Sequence, residues 1–190
     1  MFNTRFKPQI LNFEDAFKPK VAVFTWNESN GALVGGHETT RNLGVGNVNW
    51  KNVDDVATAY SSSPITAGNN SFGKYQFGIF SGSFNQISDG KFQHVSGTFG
   101  AGLTLRGFPT GTYATPSTTA IGAPTADLTP TGDIATGIAV LFGAVPEQGL
   151  TGTLSASGTT SYLLTQLQTT AGAGAGDTTQ VTVQLRYSEN

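Results

Sequence analysis

The chain has 190 residues and a mass of 19.8 kDa, the size of one large domain or two small ones. Ten basic residues stand against 12 acidic ones, which argues against the concentrated basic surface of a dedicated nucleic-acid binder. The absence of cysteine excludes disulfide frameworks, thiolate metal sites and cysteine nucleophiles. Charged residues are only 12% of the chain, about half the usual ~25%; 27 Thr, 25 Gly and 14 Ser fill their place. No stretch reaches the run of about 18 apolar residues that a membrane-spanning helix needs. Met1–Pro8 lacks the apolar core and small-residue cleavage site of a secretory signal.

In chain order, the first expected element is a short helix in an N-terminal arm, residues 1–20. Asn12 is placed to cap the free N–H groups of a first turn, Glu14 and Asp15 suit its positive end, and Phe13 and Phe17 share a face. Lys18 and Pro19 end it. One or two turns do not stand alone in water, so the phenylalanine face must dock on something.

Residues 21–190 then form a β-rich body, aromatic over 21–108 and Thr/Gly/Ala-rich over 109–190. Twelve of the 13 Phe fall at or before Phe108. Val21–Trp26 is β-branched and aromatic, Asn27–Gly31 supplies a turn, and Ala32–Val34 returns as its hairpin partner. Leu43–Trp50 alternates with a phase shift near Val48 that implies a bulge. Lys74–Phe80 sets Tyr75, Phe77 and Ile79 on one face. Asp89-Gly90 reads as a turn before strands at Phe92–Phe99 and Leu103–Leu105.

Phe108–Gly132 carries four prolines and almost no large apolar residue, the composition of a long functional loop or extended arm. Ile134–Phe142 and Ser161–Leu167 are strand candidates, and Ala171–Gly176 is a flexible small-residue loop. Thr179–Tyr187 is the clearest strand, with Val181, Val183, Leu185 and Tyr187 facing one way and Gln180, Thr182, Gln184 and Arg186 the other. Short strands separated by turns indicate an all-β fold, a β-sandwich or jelly-roll-like domain with an extended N-terminal arm and a long Thr/Pro-rich loop. The low charge leaves strand edges with little of their usual protection. That motivates edges covered by neighbouring subunits.

No catalytic motif rises from the sequence. Gly35-Gly36-His37-Glu38 is a loop-like His-Glu pair without a second histidine at metal spacing. His94 is in phase with Phe92 and reads as a packed histidine. Asp54 and Asp55 are adjacent, so on extended backbone they point apart and do not serve as a glycosidase pair. Asp127 and Asp133 flank a Thr-Pro-Thr-Gly loop and offer oxygen ligands to Ca²⁺, though turn formation is the default for both. Trp26, Trp50 and Tyr60 are candidates for a sugar-stacking platform, against core packing. The phenylalanines of the arm, interleaved with basic residues, suit an anchor on a partner surface; the candidate partner-binding residues are Phe2, Arg5, Phe6, Lys7, Phe13, Phe17 and Lys18. No catalytic, cofactor-binding or metal-binding residue is assigned.

A Cys-free, charge-poor, Thr/Gly/Ala-rich β chain with an aromatic-basic arm and no signal resembles a virion structural protein. It is most similar in composition and layout to the capsid cement or decoration (auxiliary head) proteins of tailed bacteriophages. The resemblance implies a non-enzymatic homo-oligomer, trimer favoured over dimer. It would be made in the host cytoplasm and seated on the capsid surface against the major capsid protein, with no cofactor, nucleic acid or membrane as partner. A tail-tube or jelly-roll capsid protein, and a carbohydrate-binding or adhesin module, are the alternatives.

Overall fold

The computed structural model describes residues 22–34, 37–42, 50–55, 58–122, 126–131, 137–174 and 181–190. The fold is all-β and β-sandwich-like. The described residues form twelve strands in two antiparallel sheets, and their helical content is a single 3-10 turn at Tyr60–Ser62. The short helix expected in the arm lies outside the described residues.

The large sheet is built around β3 (Lys74–Gly82) and β11 (Tyr162–Thr169). On one side follow β1 (Ala22–Val34) and β2 (His37–Asn42), on the other β5 (Leu103–Thr110) and β6 (Ala126–Asp127), in the order β2-β1-β3-β11-β5-β6. β10 (Gly158–Thr160) runs into β11 through Ser161 and pairs with both β3 and β8 (Phe142–Gly143). The small sheet has the order β12-β4-β7, with β4 at Ile87–Ser96, β7 at Ile138–Ala139 and β12 at Thr182–Glu189. β9 (Thr153–Leu154) also pairs with β4.

The sheets face each other across two joined apolar clusters. Phe80, Ile87, Val140, Phe142 and Leu154 fill one, with Phe24 and Tyr187 packed against it. Phe92, Leu105, Ile138, Leu163 and Leu167 fill the other, with Trp50 and Val183 at its margin. Leu185 touches both. Phe80 meets Tyr187 edge-on at 4.9 Å between centroids, one of the preferred aromatic geometries.

Alternation along β3 decides the rest. Phe80 points between the sheets, while Tyr75, Phe77 and Ile79 lie on the opposite face, as their spacing predicts. That outer face is covered too. Tyr113 and Ile121, from the connection after β5, pack there with Tyr162, Leu164 and Phe108. Tyr75 lies 4.7 Å from Tyr113 and 5.7 Å from Tyr162, and burial pushes its phenol above the ordinary tyrosine range.

Four expectations are corrected. Asn27–Gly31 is not a turn: β1 continues through it because β2 pairs on one side (Asn27↔Asn42, Glu28↔Arg41) and β3 on the other (Glu28↔Gln76, Ser29↔Tyr75). Two ladders outweigh the local turn preference. The hairpin partner is β2, not Ala32–Val34. Asp89-Gly90 is not a turn before a strand but an irregularity inside β4, where Asp89 takes a φ of 53°. There β12 advances two residues, Arg186 to Ser188, while β4 advances three, Lys91 to Ser88, so β4 holds the extra residue of a bulge. Ile134–Phe142 is not one strand; its described part is divided between β7 in the small sheet and β8 in the large one. Phe108–Gly132 is not wholly structureless. β5 runs on to Thr110, and Pro109 sits opposite Leu163 beyond the two residues, Arg106 and Gly107, that pair with β6. At that position β5 is an edge among the described strands, which is where a strand tolerates proline.

Candidate functional site

The partner-binding residues expected from the sequence, Phe2, Arg5, Phe6, Lys7, Phe13, Phe17 and Lys18, lie outside the described residues. The arm joins the body at β1, where the Ala22 N–H donates to Glu189 Oε1 at 2.8 Å.

Among the described residues, several polar side chains that could carry chemistry are engaged internally. The loop Trp50–Thr58 holds two aspartates against two buried lysines. Lys51, only 4% exposed, donates from Nζ to Asp55 Oδ1 at 3.0 Å and to the Thr58 carbonyl at 2.5 Å. Asp55 also accepts from the Thr58 N–H at 2.8 Å and from its hydroxyl. Thr58 hydrogen bonds, then Lys51, hold the Asp55 carboxyl far below the usual carboxylate range. Asp54 turns instead to Lys74, with Nζ 3.8 Å from Oδ1. The neighbouring carboxylates thus serve different cations, in keeping with the expectation that they do not work as a pair.

Lys74 leads into an interior polar row. The Gln76 amide and the Trp50 indole both donate to Thr165 Oγ1, at 2.8 and 3.1 Å. Trp50 is half-buried against the inter-sheet core, so one member of the proposed sugar platform packs as core and its only polar group is committed to Thr165. The side chains of Trp26 and Tyr60 lie outside the described residues.

Gln166 organises the outer face. It is fully buried, with Nε2 donating to the carbonyls of Ser71 (3.0 Å) and Thr119 (2.9 Å) and Oε1 accepting from the Ile121 N–H and Gln168 Nε2, both at 3.0 Å. At the other end of the same loop Glu147 Oε1 accepts from the Tyr113 N–H at 2.7 Å. These bonds, with Gly73 N–H to the Ser117 carbonyl at 3.0 Å, turn the Thr/Pro-rich connection into a cover for the sheet. Residues 111–122 are therefore not an extended arm. A glutamine in the middle of a central strand carries no sequence pattern that announces this function.

His94 is a packed histidine, as its phase with Phe92 predicts. It is 2% exposed and stacks edge-on with Phe99 at 5.2 Å. Its Nδ1 faces the Thr129 carbonyl and its Nε2 the Ser96 carbonyl, each at 2.9 Å, so neither nitrogen is open to a metal ion. His37 opens strand β2 rather than lying in a loop; its side chain and Asp133 lie outside the described residues. Asp127 is exposed and accepts from the Thr129 N–H at 2.8 Å, the turn-forming use that is the default for aspartate. Among the described residues, no three His, Asp or Glu side chains converge to hold a metal ion.

In the described body both faces of the central strands are covered. Leu141 and Val145, each 45% exposed, are the large apolar side chains most open to solvent among the described residues. Comparison with protein-family models, curated proteins and solved structures finds no match to this chain.

Proposed function

We propose that the chain is a non-enzymatic structural protein of a tailed-bacteriophage particle, a capsid cement or decoration protein. It is made in the host cytoplasm, self-associates, and seats on the lattice of major capsid protein, where many weak contacts sum through multivalency. The observation that carries the proposal is the commitment of buried polar groups to internal fastening. Gln166, Thr165 and His94 hold together parts of the body distant in sequence, and buried Lys51 closes its own loop on Asp55 and Thr58. That arrangement suits a protein whose task is to stay rigid. The aromatic-basic residues 1–20 supply the latch, anchoring on the capsid through Phe2, Phe6, Phe13 and Phe17 with Arg5, Lys7 and Lys18 beside them.

The test is co-sedimentation of the purified chain with shells of the major capsid protein encoded in the same genome. Saturable, stoichiometric binding that is lost on deleting residues 1–20 is the expected result. No sedimentation with the shells, or undiminished binding by the truncated chain, would refute the proposal.

A further inference from the structure

We infer that the edge of β12 left unpaired among the described residues pairs with the same edge of a second copy, antiparallel about a two-fold axis at Leu185, joining two small sheets into one. Strand edges present unpaired N–H and C=O groups, and proteins blunt them by shortness, charge or bulges. The other described edges are shorter, and most are charged or carry proline; the longest of those left plain is Ala22–Trp26 of β1, five residues with β3 on one side only. β6, β7 and β9 have two residues each, and β2 carries Glu38 and Arg41 within six residues. β12 is different. It carries Arg186 and Glu189 as well, but its eight residues are the longest run without a described strand on one side, hold no Pro, Gly or Lys, and have β4 as their one described neighbour.

The irregularities of this ladder sit in the partner strand. Between Thr182 and Val183, β12 advances one residue while β4 advances two, from Ser96 to His94. Near Arg186 the extra residue again belongs to β4. β12 is left regular, so its free side keeps the even spacing that strand addition requires. Its inward side chains are also incompletely covered: Val183, Leu185 and Tyr187 are half-buried, whereas Phe80, Leu105 and Leu163 are fully buried.

The residues of β12 select a second copy as the occupant. In an antiparallel pair opposing residues share a face, so a two-fold at Leu185 sets Leu185 against Leu185, Val183 against Tyr187, Gln184 against Arg186 and Thr182 against Ser188. The apolar row continues across the seam. The two Arg186 side chains face glutamines rather than each other, and like charges never oppose. Such an interface is isologous and closes as a dimer. It stands whether or not the chain binds a capsid.

The test uses the full chain and its dimer dissociation constant, measured by sedimentation equilibrium. Each dimer contains two Gln184–Arg186 contacts, so Gln184→Lys places two like-charge pairs in the seam and should weaken association roughly 2- to 30-fold. Gln184→Glu should tighten it over a similar range. Both changes lie on the outward side of the strand, and circular dichroism checks that the fold is kept. Because the chain has no cysteine, the double variant Thr182→Cys/Ser188→Cys should form an intermolecular disulfide on mild oxidation. Thr182→Cys alone should not, because six residues separate the two copies of that position by about 20 Å along the strand. A monomer at all concentrations, a discrete trimer, a constant that both substitutions at position 184 move in the same direction or not at all, or cross-linking by the single variant as readily as the double would overturn the inference.

Discussion

Replacing Gln166 by leucine should loosen the cover over the outer face of the large sheet. The substitution removes four hydrogen bonds, to the Ser71 and Thr119 carbonyls, the Ile121 N–H and the Gln168 amide. Thr119 is exposed and Ile121 and Gln168 half-buried, so water replaces their lost partner and each bond forfeits about 1 kcal/mol or less. The Ser71 carbonyl belongs to a fully buried residue, and stranding a buried acceptor costs about 1–3 kcal/mol. Leucine regains about 1 kcal/mol through apolar burial. The expected net loss is about 2–4 kcal/mol, or a fall in Tm of roughly 5–15 °C for a chain of this size. Urea unfolding should show a lower midpoint with an unchanged slope. Hydrogen exchange should quicken at residues 111–122 first, and most at the Ile121 amide, while β3 stays protected. Gln168→Leu, which removes only one of the four bonds, is the control. A loss for Gln166→Leu within about 0.5 kcal/mol of that control would refute the idea that Gln166 fastens the cover, since surface changes alone fall in that range.

Three further outcomes are expected. Gly158→Ala should destabilise by about 1–3 kcal/mol, because a methyl group there meets the Gly143 carbonyl oxygen and comes within 2.7 Å of Leu154 Cδ1; Gly152→Ala, with nothing within 4 Å of the added carbon, should be close to neutral by thermal melting. The lowered Asp55 titration adds stability at neutral pH that is retained down to the unfolded-state value near ~3.9 and lost as the pH falls further, toward the folded-state value. Asp55→Asn should therefore flatten the acid limb of a stability-against-pH curve below about pH 4, and an unchanged limb would count against the Lys51–Asp55–Thr58 assignment. Deleting residues 1–20 should leave the far-ultraviolet spectrum of the β body intact; an unfolded truncated chain would mean that the arm belongs to the core and is no latch.

The parts of the fold legible in the sequence are those where alternation is clean. Tyr75, Phe77 and Ile79 share the outer face of β3, and Val183, Leu185 and Tyr187 the inner face of β12, because side chains of period two leave one face to each set. Legibility fails where long-range pairing overrides local preference. Asn27-Glu28-Ser29-Asn30-Gly31 is rich in turn formers yet lies in a strand paired with the adjacent β2 on one side and, through Ser29, with β3 nearly 50 positions on along the chain. Asp89-Gly90 has the composition of a hairpin turn but is absorbed as a bulge. The covering action of residues 111–122 was hidden for another reason. It depends on Gln166, more than 40 positions away, and on tyrosines whose partners only the folded sheet brings together. Buried Lys51 and Lys74 were likewise invisible, since an isolated lysine in sequence is indistinguishable from a solvated one. Of the candidate site residues, His94 was legible as a packed side chain from its phase with Phe92. The arm, with four phenylalanines and four basic residues within 20 positions, lies outside the described residues.

The measurement that tests the proposed function most directly is quantitative mass spectrometry of purified particles produced from the genome that encodes this chain, with heads and tails separated beforehand. The chain is expected in the head fraction, in a fixed ratio to the major capsid protein. Recovery with the tails, or absence from both fractions, would contradict its assignment as a capsid decoration protein.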